Sequence, residues 1–380
     1  MQEPSSRSAA VRPFLVMELL DRARAMQDKG LDIVHLEVGE PDLPAPAAAT
    51  RAGMSAVREG RTRYTPSAGL PELRAELART LAIEHDVDID PARVLITTGS
   101  SAALLLSFAA TTEPGDEVLL ADPGYPCYAN ILRTLGVTPR YVPVVPEQGW
   151  VLDPEMVCEC VSPRTAAIVV NSPANPTGAI VPRDALASLA DAGPRVICDE
   201  IYQGLTYGQD AASILAVSSD AYAVGGFSKR YAMTGWRVGY LVAPTAHVGA
   251  VSAMQQNLYI SAPEAGQLAA PAALGATEET GSMRRTFEER RAVLLRELAR
   301  IGLDVPVAPA GAFYVFVDMR RFTEDSLAFA HDLLLRGHVA VTPGIDFGPR
   351  GEGWIRLSYA ASTDRLVEGV RRIGSYLEEL

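Results

Sequence analysis

The amino-acid sequence predicts an α/β chain, with a large three-layer domain built on a mostly parallel sheet and a smaller α+β unit to which both chain ends contribute. Three observations carry this. Through the middle of the chain, short β-branched runs alternate with helical stretches, the pattern of βαβ units whose sheet is covered on both faces. The helix and strand patterns at the N-terminus have no place in that alternation. Near residue 301 the composition changes, setting off a tail with strands of its own.

In chain order, a helix near 14–28 and the run DIVHLEV (32–38) come first and are assigned to the smaller unit. RVLITT (93–98), EVLLA (117–121), TAAIVVN (165–171), RVICDE (195–200), AYAVGG (221–226) and WRVGYLVA (236–243) read as strands. Their centres are apolar and rich in β-branched residues, as suits a strand buried on both faces. SAALLLSFAATT (101–112) and PRDALASLADAG (182–193) are two of the helices between them. The interval from Gly226 to Trp236 is too short for a crossover helix, so the last strand is expected to pair antiparallel. A helical region over about 263–300, rich in Arg and Glu, leads to the break IGLDVPVAPAGAFYVFVDM (301–319). Two helical segments and short strands ending in EGWIRLSYA (352–360) then complete the smaller unit. The expected bounds are 1–45 for the N-terminal segment joining the small domain, 46–295 for the large domain and 296–380 for the small C-terminal domain. Only the first ten residues read as disordered, and no internal repeat or low-complexity tract is visible.

Composition narrows the function. With 48% hydrophobic and 21% charged residues among 380, the chain can bury a full core without disulfides. A net charge of −12, with no run of Lys or Arg, argues against nucleic acid and anionic membrane as partners and favours small molecules. No signal-peptide core and no apolar window of about 18 residues is present, so the expected location is the cytoplasm. Cys127, Cys158, Cys160 and Cys198 match neither a redox pair nor a zinc knuckle, and no two histidines stand at metal-ligand spacing, so no metal is expected.

Of the 34 basic residues only Lys29 and Lys229 are lysine. A lysine amine can lose its proton and condense with a carbonyl, whereas a guanidinium stays charged and is a poor nucleophile. Lys229, in GGFSKRYAMTGWRVGY (225–240), is therefore the candidate for a Schiff base. Arg237 opens the last predicted strand and offers a planar fork suited to a phosphate. Gly99, Ser100 and Ser101 stand where a strand turns into a helix, bringing free N–H groups and hydroxyls onto an anion site. Each has an ordinary alternative in a strand cap, a turn or a helix cap. Together they point to a phosphorylated aldehyde cofactor.

With these residues in view, the chain resembles the pyridoxal-phosphate-dependent class I/II aminotransferases, of fold type I in the aspartate aminotransferase superfamily. The resemblance rests on GEPDLPAP (39–46), RYTPSAGLPELR (63–74), NSPANPTG (171–178), DEIY (199–202), SKRYAMTGWRVGY (228–240) and RLSYA (356–360), in that order over nearly the whole chain. It implies a seven-stranded sheet, pyridoxal 5'-phosphate as cofactor, and a homodimer with active sites at the interface.

The resemblance also implies roles. Lys229 forms the Schiff base and acts as general base, while Asp199 pairs with the pyridine nitrogen and keeps it protonated. Asn175 and Tyr202 reach the phenolic oxygen. Tyr125 stacks on the ring, with Tyr128 three residues on as the competing candidate. Gly99, Ser100, Ser101, Ser228 and Arg237 surround the phosphate, and Tyr64 reaches it from the partner subunit. Many relatives carry serine where this chain has Gly226, so one phosphate contact is missing or moved. Arg356, assisted by the backbone at Gly39 and by Asn175, grips the substrate α-carboxylate, which leaves Cα–H as the bond to break. The implied reaction passes an amino group from an L-amino acid to a 2-oxo acid in a ping-pong cycle. A C–S lyase on the same scaffold is the alternative. A ligand-sensing role is disfavoured by the charge and by the short stretch before the first helix. No motif position supplies a second arginine for a dicarboxylic side chain, so the substrate stays open.

Overall fold

The computed structural model describes residues 5–303 and 305–380. Its strands are β1 (Val34–His35), β2 (Val94–Thr97), β3 (Glu117–Asp122), β4 (Thr138–Pro143), β5 (Thr165–Asn171), β6 (Arg195–Asp199), β7 (Tyr222–Gly226), β8 (Gly239–Val242), β9 (Tyr314–Asp318), β10 (Val339–Ala340), β11 (Thr342–Pro343) and β12 (Trp354–Ser358). Seven of them form the large sheet in the order β2-β8-β7-β6-β5-β3-β4. Every pairing from β7 through to β4 is parallel, while β8 runs antiparallel to both β7 and β2. The short interval before β8 thus has the predicted effect.

Alternate residues of the central strands feed different cores. Ile168, Val170, Val196, Cys198 and Ala223 lie in one apolar cluster, and Ala167, Val169, Ile197, Tyr222 and Val224 lie in another across the sheet. Both faces are dry, which is why the strands read as continuous apolar runs. The helices Ser100–Thr111 and Arg183–Ala190 fall where their patterns placed them.

The smaller unit joins both chain ends. Leu19, Ala23 and Met26 of the helix Leu15–Gln27 share one buried cluster with Val34, Val315, Leu357 and Ile373. Here β1 pairs parallel with β10, and β12 lies between β11 and β9 in an antiparallel sheet.

Several expectations need correction. The helical region over 263–300 is two helices, Glu264–Leu274 and Thr277–Arg300. The run at 32–38 contributes only the two residues of β1. Strand β4 escapes the sequence pattern because Thr138–Pro143 holds two prolines and only one buried residue, as befits the sheet edge where, among the described residues, it pairs with β3 alone. The last strand begins at Gly239, so Arg237 stands before it, in the left-handed conformation with φ 54°. Within the first ten residues Ser6–Ala9 forms a helical turn, and residues 1–4 lie outside the described residues. Among the described residues no helix is long and apolar enough to cross a membrane.

Strand β8 meets the start of the Ser100–Thr111 helix without room for a side chain. A Cβ on Gly239 would lie 2.6 Å from Ser100 N. Gly239→Ala is therefore expected to cost about 1–3 kcal/mol by overpacking, read as a lower urea midpoint. An unchanged midpoint would show that this junction yields freely.

Candidate active site

Open α/β sheets bind ligands beyond the carboxyl ends of their parallel strands, and that is where the candidate residues gather. Asn171 ends β5, Asp199 ends β6, and the loop after β7 carries Ser228 and Lys229. A cavity of about 520 Å³ opens there between the large domain and the smaller unit. Of the sequence-predicted residues, Gly39, Ser100, Ser101, Tyr125, Asn175, Asp199, Tyr202, Ser228, Lys229, Arg237 and Arg356 line it.

Lys229 Nζ donates to the Gly39 carbonyl over 2.6 Å, across the cleft between the two units. Burial, aided by Arg356 and Arg237 and opposed by Glu40, lowers the amine to about 8. Glu40 in turn accepts a hydrogen bond from the Thr234 hydroxyl. Asp199 is buried, and burial raises its carboxyl to about 6 against the opposing pull of its hydrogen bonds and of Lys229. Its Oδ2 accepts from the Tyr128 hydroxyl at 2.7 Å and its Oδ1 from the Ile201 N–H at 3.2 Å. Tyr128 is thus a second residue on this carboxylate. Tyr125 stands at the cavity wall, edge-on to Tyr128 with centroids 5.3 Å apart.

Arg356 is also buried, with its guanidinium 4.2 Å from the Tyr314 ring centroid and 5.1 Å from that of Phe347. Nη1 donates to Asn175 Oδ1 at 3.0 Å, and Nη2 donates to the Glu37 carbonyl at 2.8 Å and to Thr342 Oγ1 at 3.1 Å. Its Nε is buried without a partner, a donor left over for an incoming anion. Tyr202 shares a hydrogen bond of 2.9 Å with the Tyr314 hydroxyl. A Cβ on Gly39 would lie 2.8 Å from that same Tyr314 hydroxyl, so any side chain here would have to displace it.

The phosphate-sized end of the cavity is built from backbone. Gly99, with φ 76°, precedes the Ser100–Thr111 helix and has no side chain to cap it, leaving that helix's first N–H groups without a cap from this residue. A Cβ on Gly99 would lie 2.9 Å from Arg237 Cζ, so the guanidinium rests against bare backbone. A helix N-terminus faced by an arginine suits a phosphate dianion. An anionic cofactor with an aldehyde for Lys229 and a ring nitrogen for Asp199 fits the residues present. Gly226, the position at which the resemblance implies a serine, is crowded, because a Cβ there would lie 3.1 Å from Ile201 Cδ1.

Two predicted residues do not line the cavity: Gly99, which lies behind Arg237, and Tyr64, which is 80% exposed. The sequence reading missed Tyr314, Thr342 and Phe347, which the fold of the smaller unit packs around Arg356. It also missed Asp346, whose Oδ1 and Oδ2 accept from the Leu15 and Val16 N–H groups, at 3.1 and 3.4 Å. This carboxylate supplies the cap that the helix Leu15–Gln27 lacks in its own Phe14. Phe14 stacks on Tyr125 with centroids 6.3 Å apart.

Comparison with known proteins agrees with this geometry. The family model described as aminotransferase class I and II matches residues 32–373. The chain is 40% identical over 378 residues to a valine–pyruvate aminotransferase of Mycobacterium tuberculosis, covering 97% of each. It is 37% identical over 380 residues to a (5-formylfuran-3-yl)methyl phosphate transaminase of Methanocaldococcus jannaschii, covering 99% of this chain and 100% of that one. The crystal structure of an aminotransferase from Mycobacterium tuberculosis superposes with a TM-score of 0.96 at 38% identity, covering both chains completely.

The lowered amine is directly measurable. Acetylation of Lys229 in the cofactor-free protein, followed by peptide mass, is expected to rise with pH along a titration centred near 8. A midpoint near the ordinary lysine value of about 10.4 would contradict the burial described here.

Proposed function

The chain belongs to the class I and II aminotransferases, and from that premise we propose that it moves an amino group from an L-amino acid to a 2-oxo acid, with pyridoxal 5'-phosphate held on Lys229. When bound, that cofactor supplies a ring that accepts the electrons left on the substrate Cα after its proton departs. The observation that carries the reading is the buried, deprotonatable amine of Lys229 sharing one cavity with the Asp199 carboxylate and the free Nε of Arg356.

Each residue then has a task. Asp199, near 6 and so mostly ionised at neutral pH, holds a proton on the ring nitrogen. Tyr128 orients that carboxylate through its hydroxyl. Asn175 and Tyr202 serve the phenolic oxygen, and Tyr125 covers a ring face. Gly99, Ser100, Ser101, Ser228 and Arg237 hold the phosphate. Arg356 binds the substrate α-carboxylate, braced by Asn175, Thr342 and the Glu37 carbonyl, with Gly39 beside it. Lys229 Nζ takes the proton from Cα, as suits an amine that is neutral in about a tenth of molecules at pH 7. Its bond to the Gly39 carbonyl shows that the same nitrogen reaches both sides of the cleft.

The proposal includes a homodimer in which Tyr64 completes the partner's phosphate site. The exposed side chains Met54, Val57, Tyr64, Leu258 and Ile260 support this, as apolar surface that a second copy would cover.

Lys229→Ala is expected to lower kcat by about 10⁴-fold or more, and borohydride reduction of the wild-type holoprotein is expected to fix the cofactor on residue 229. Normal turnover in the variant, or a label elsewhere, would overturn the assignment. Pyruvate and ammonia released from cysteine conjugates without an acceptor would make the protein a lyase instead. Tyr64→Phe is expected to weaken cofactor retention by about tenfold, the loss of one hydrogen bond to a charged group, in a protein that sediments as a dimer. Unchanged retention, or a monomer, would remove Tyr64 from the site.

A further inference from the structure

Tyr64 stands on a stretch with no regular structure of its own. Residues 61–70 form neither helix nor strand, and an exposed side chain on a loose loop loses entropy whenever a second molecule engages it. This loop is nevertheless fastened, by side chains from one region of the large domain. On either side of Tyr64, the Arg63 N–H donates to Glu264 Oε2 at 2.8 Å and the Thr65 N–H donates to Ser261 Oγ at 3.3 Å. Gln255 Nε2, from the helix Val248–Leu258, donates to the Ser67 carbonyl.

Gln267 is the centre of this arrangement. Its Nε2 donates to Thr65 Oγ1 and to the Ala262 carbonyl, both at 2.9 Å, and its Oε1 accepts from the Leu70 N–H at 2.8 Å. The Thr65 hydroxyl passes its own hydrogen on to the Pro66 carbonyl. One amide thus grips the loop immediately after Tyr64 and again at Leu70, where the helix Pro71–His85 begins. The other buried residues of the helix Glu264–Leu274 are Gly266, Ala269, Ala270, Ala273 and Leu274, all without polar side chains. Gln267 is fully buried among them and is tolerated because both amide hydrogens and the oxygen are bonded. An apolar side chain of the same volume would serve core packing as well. What the amide adds is a fixed path for the loop it holds.

We propose that Gln267 is a positioning residue that works across the subunit interface: by holding Thr65 and Leu70 it presents Tyr64 to the cofactor phosphate bound in the partner subunit. The assignment rests on the homodimer with shared sites proposed above, and it names what makes a side chain that is exposed in one chain usable by the other. Gln267 does not line the cavity of its own chain, so its removal is expected to be felt at the partner's site. The alternative is an effect within the same chain, because a Cβ on the adjoining Gly266 would lie 3.0 Å from the Trp236 carbonyl oxygen, next to Arg237.

Mixed dimers decide between the two. Two differently tagged chains are co-expressed and the mixed dimer is purified as holoprotein, with Lys229→Ala in one chain so that borohydride fixes the cofactor on the other alone. The quantity read is the cofactor fixed on residue 229 after increasing times of dialysis. With Gln267→Met in the Lys229→Ala chain, loss of cofactor from the intact site is expected to quicken by about fivefold, the usual contribution of one hydrogen bond. With Gln267→Met in the chain that keeps Lys229, the rate is expected to stay within about twofold of the dimer without it. Thr65→Val removes the hydroxyl and leaves the helix core untouched; it is expected to show the same asymmetry, and it decides the matter if the buried substitution prevents folding. Equal effects in both arrangements, an effect from the Lys229-bearing chain alone, or none in either overturn the positioning role. Tyr64→Phe in the Lys229→Ala chain tells this failure from that of the reading beneath it. If it too leaves the intact site unchanged, the shared site fails and takes Gln267 with it, whereas an effect of Tyr64→Phe without one of Gln267→Met removes Gln267 only.

Discussion

Water is kept from two opposite charges, and the chemistry depends on how the fold bears that cost. Burial is the main reason that Lys229 falls to about 8 and Asp199 rises to about 6. In bulk water an amine and a carboxylate sit several units further apart and are useless as base and switchable partner near neutrality. Asp199 is bearable because Tyr128 and the Ile201 N–H each donate to it. Lys229 is bearable because its amine meets the Gly39 carbonyl and can shed its proton. The parallel register of β6 and β7 brings the two to the same end of the sheet.

The second requirement is that two distant parts of the chain close over that sheet end. Gly39 follows β1 and Arg356 lies in β12, yet they meet because both chain ends share one apolar cluster. Arg356 is costly to bury, and nearly every group around it comes from elsewhere: the Asn175 side chain from the large domain, Thr342 from β11, the Glu37 carbonyl from the N-terminal segment. The aromatic faces of Tyr314 and Phe347 add cation–π attraction on a desolvated guanidinium. What remains of its five donors is Nε–H and one hydrogen on Nη1, so the guanidinium is held in place by its own surroundings.

How much of this was legible varies by residue. The parallel strands declared themselves because burial on both faces leaves an unbroken apolar run, and the antiparallel β8 followed from an interval too short to cross over. β4 did not, because an edge strand bears exposed side chains and tolerates proline. Lys229 stood out through its rarity, and Asp199, Asn175, Tyr202 and Arg356 through their motifs. Tyr314, Thr342 and Asp346 carry no local signal. Their relevance lies in contacts across hundreds of residues, such as the bond from Asp346 to Leu15, and only the folded chain brings them together.

The cap that Asp346 places on the first long helix has a wider meaning. It ties that helix to the rest of the smaller unit by backbone N–H groups, in addition to the packing of Leu19, Ala23 and Met26, so residues on its cavity side can be exchanged while its position is kept. The cavity wall that this helix forms is thereby distinct from the sheet end that carries Asp199 and Lys229. Drift at a few positions along that wall would reshape the cavity without disturbing the sheet end.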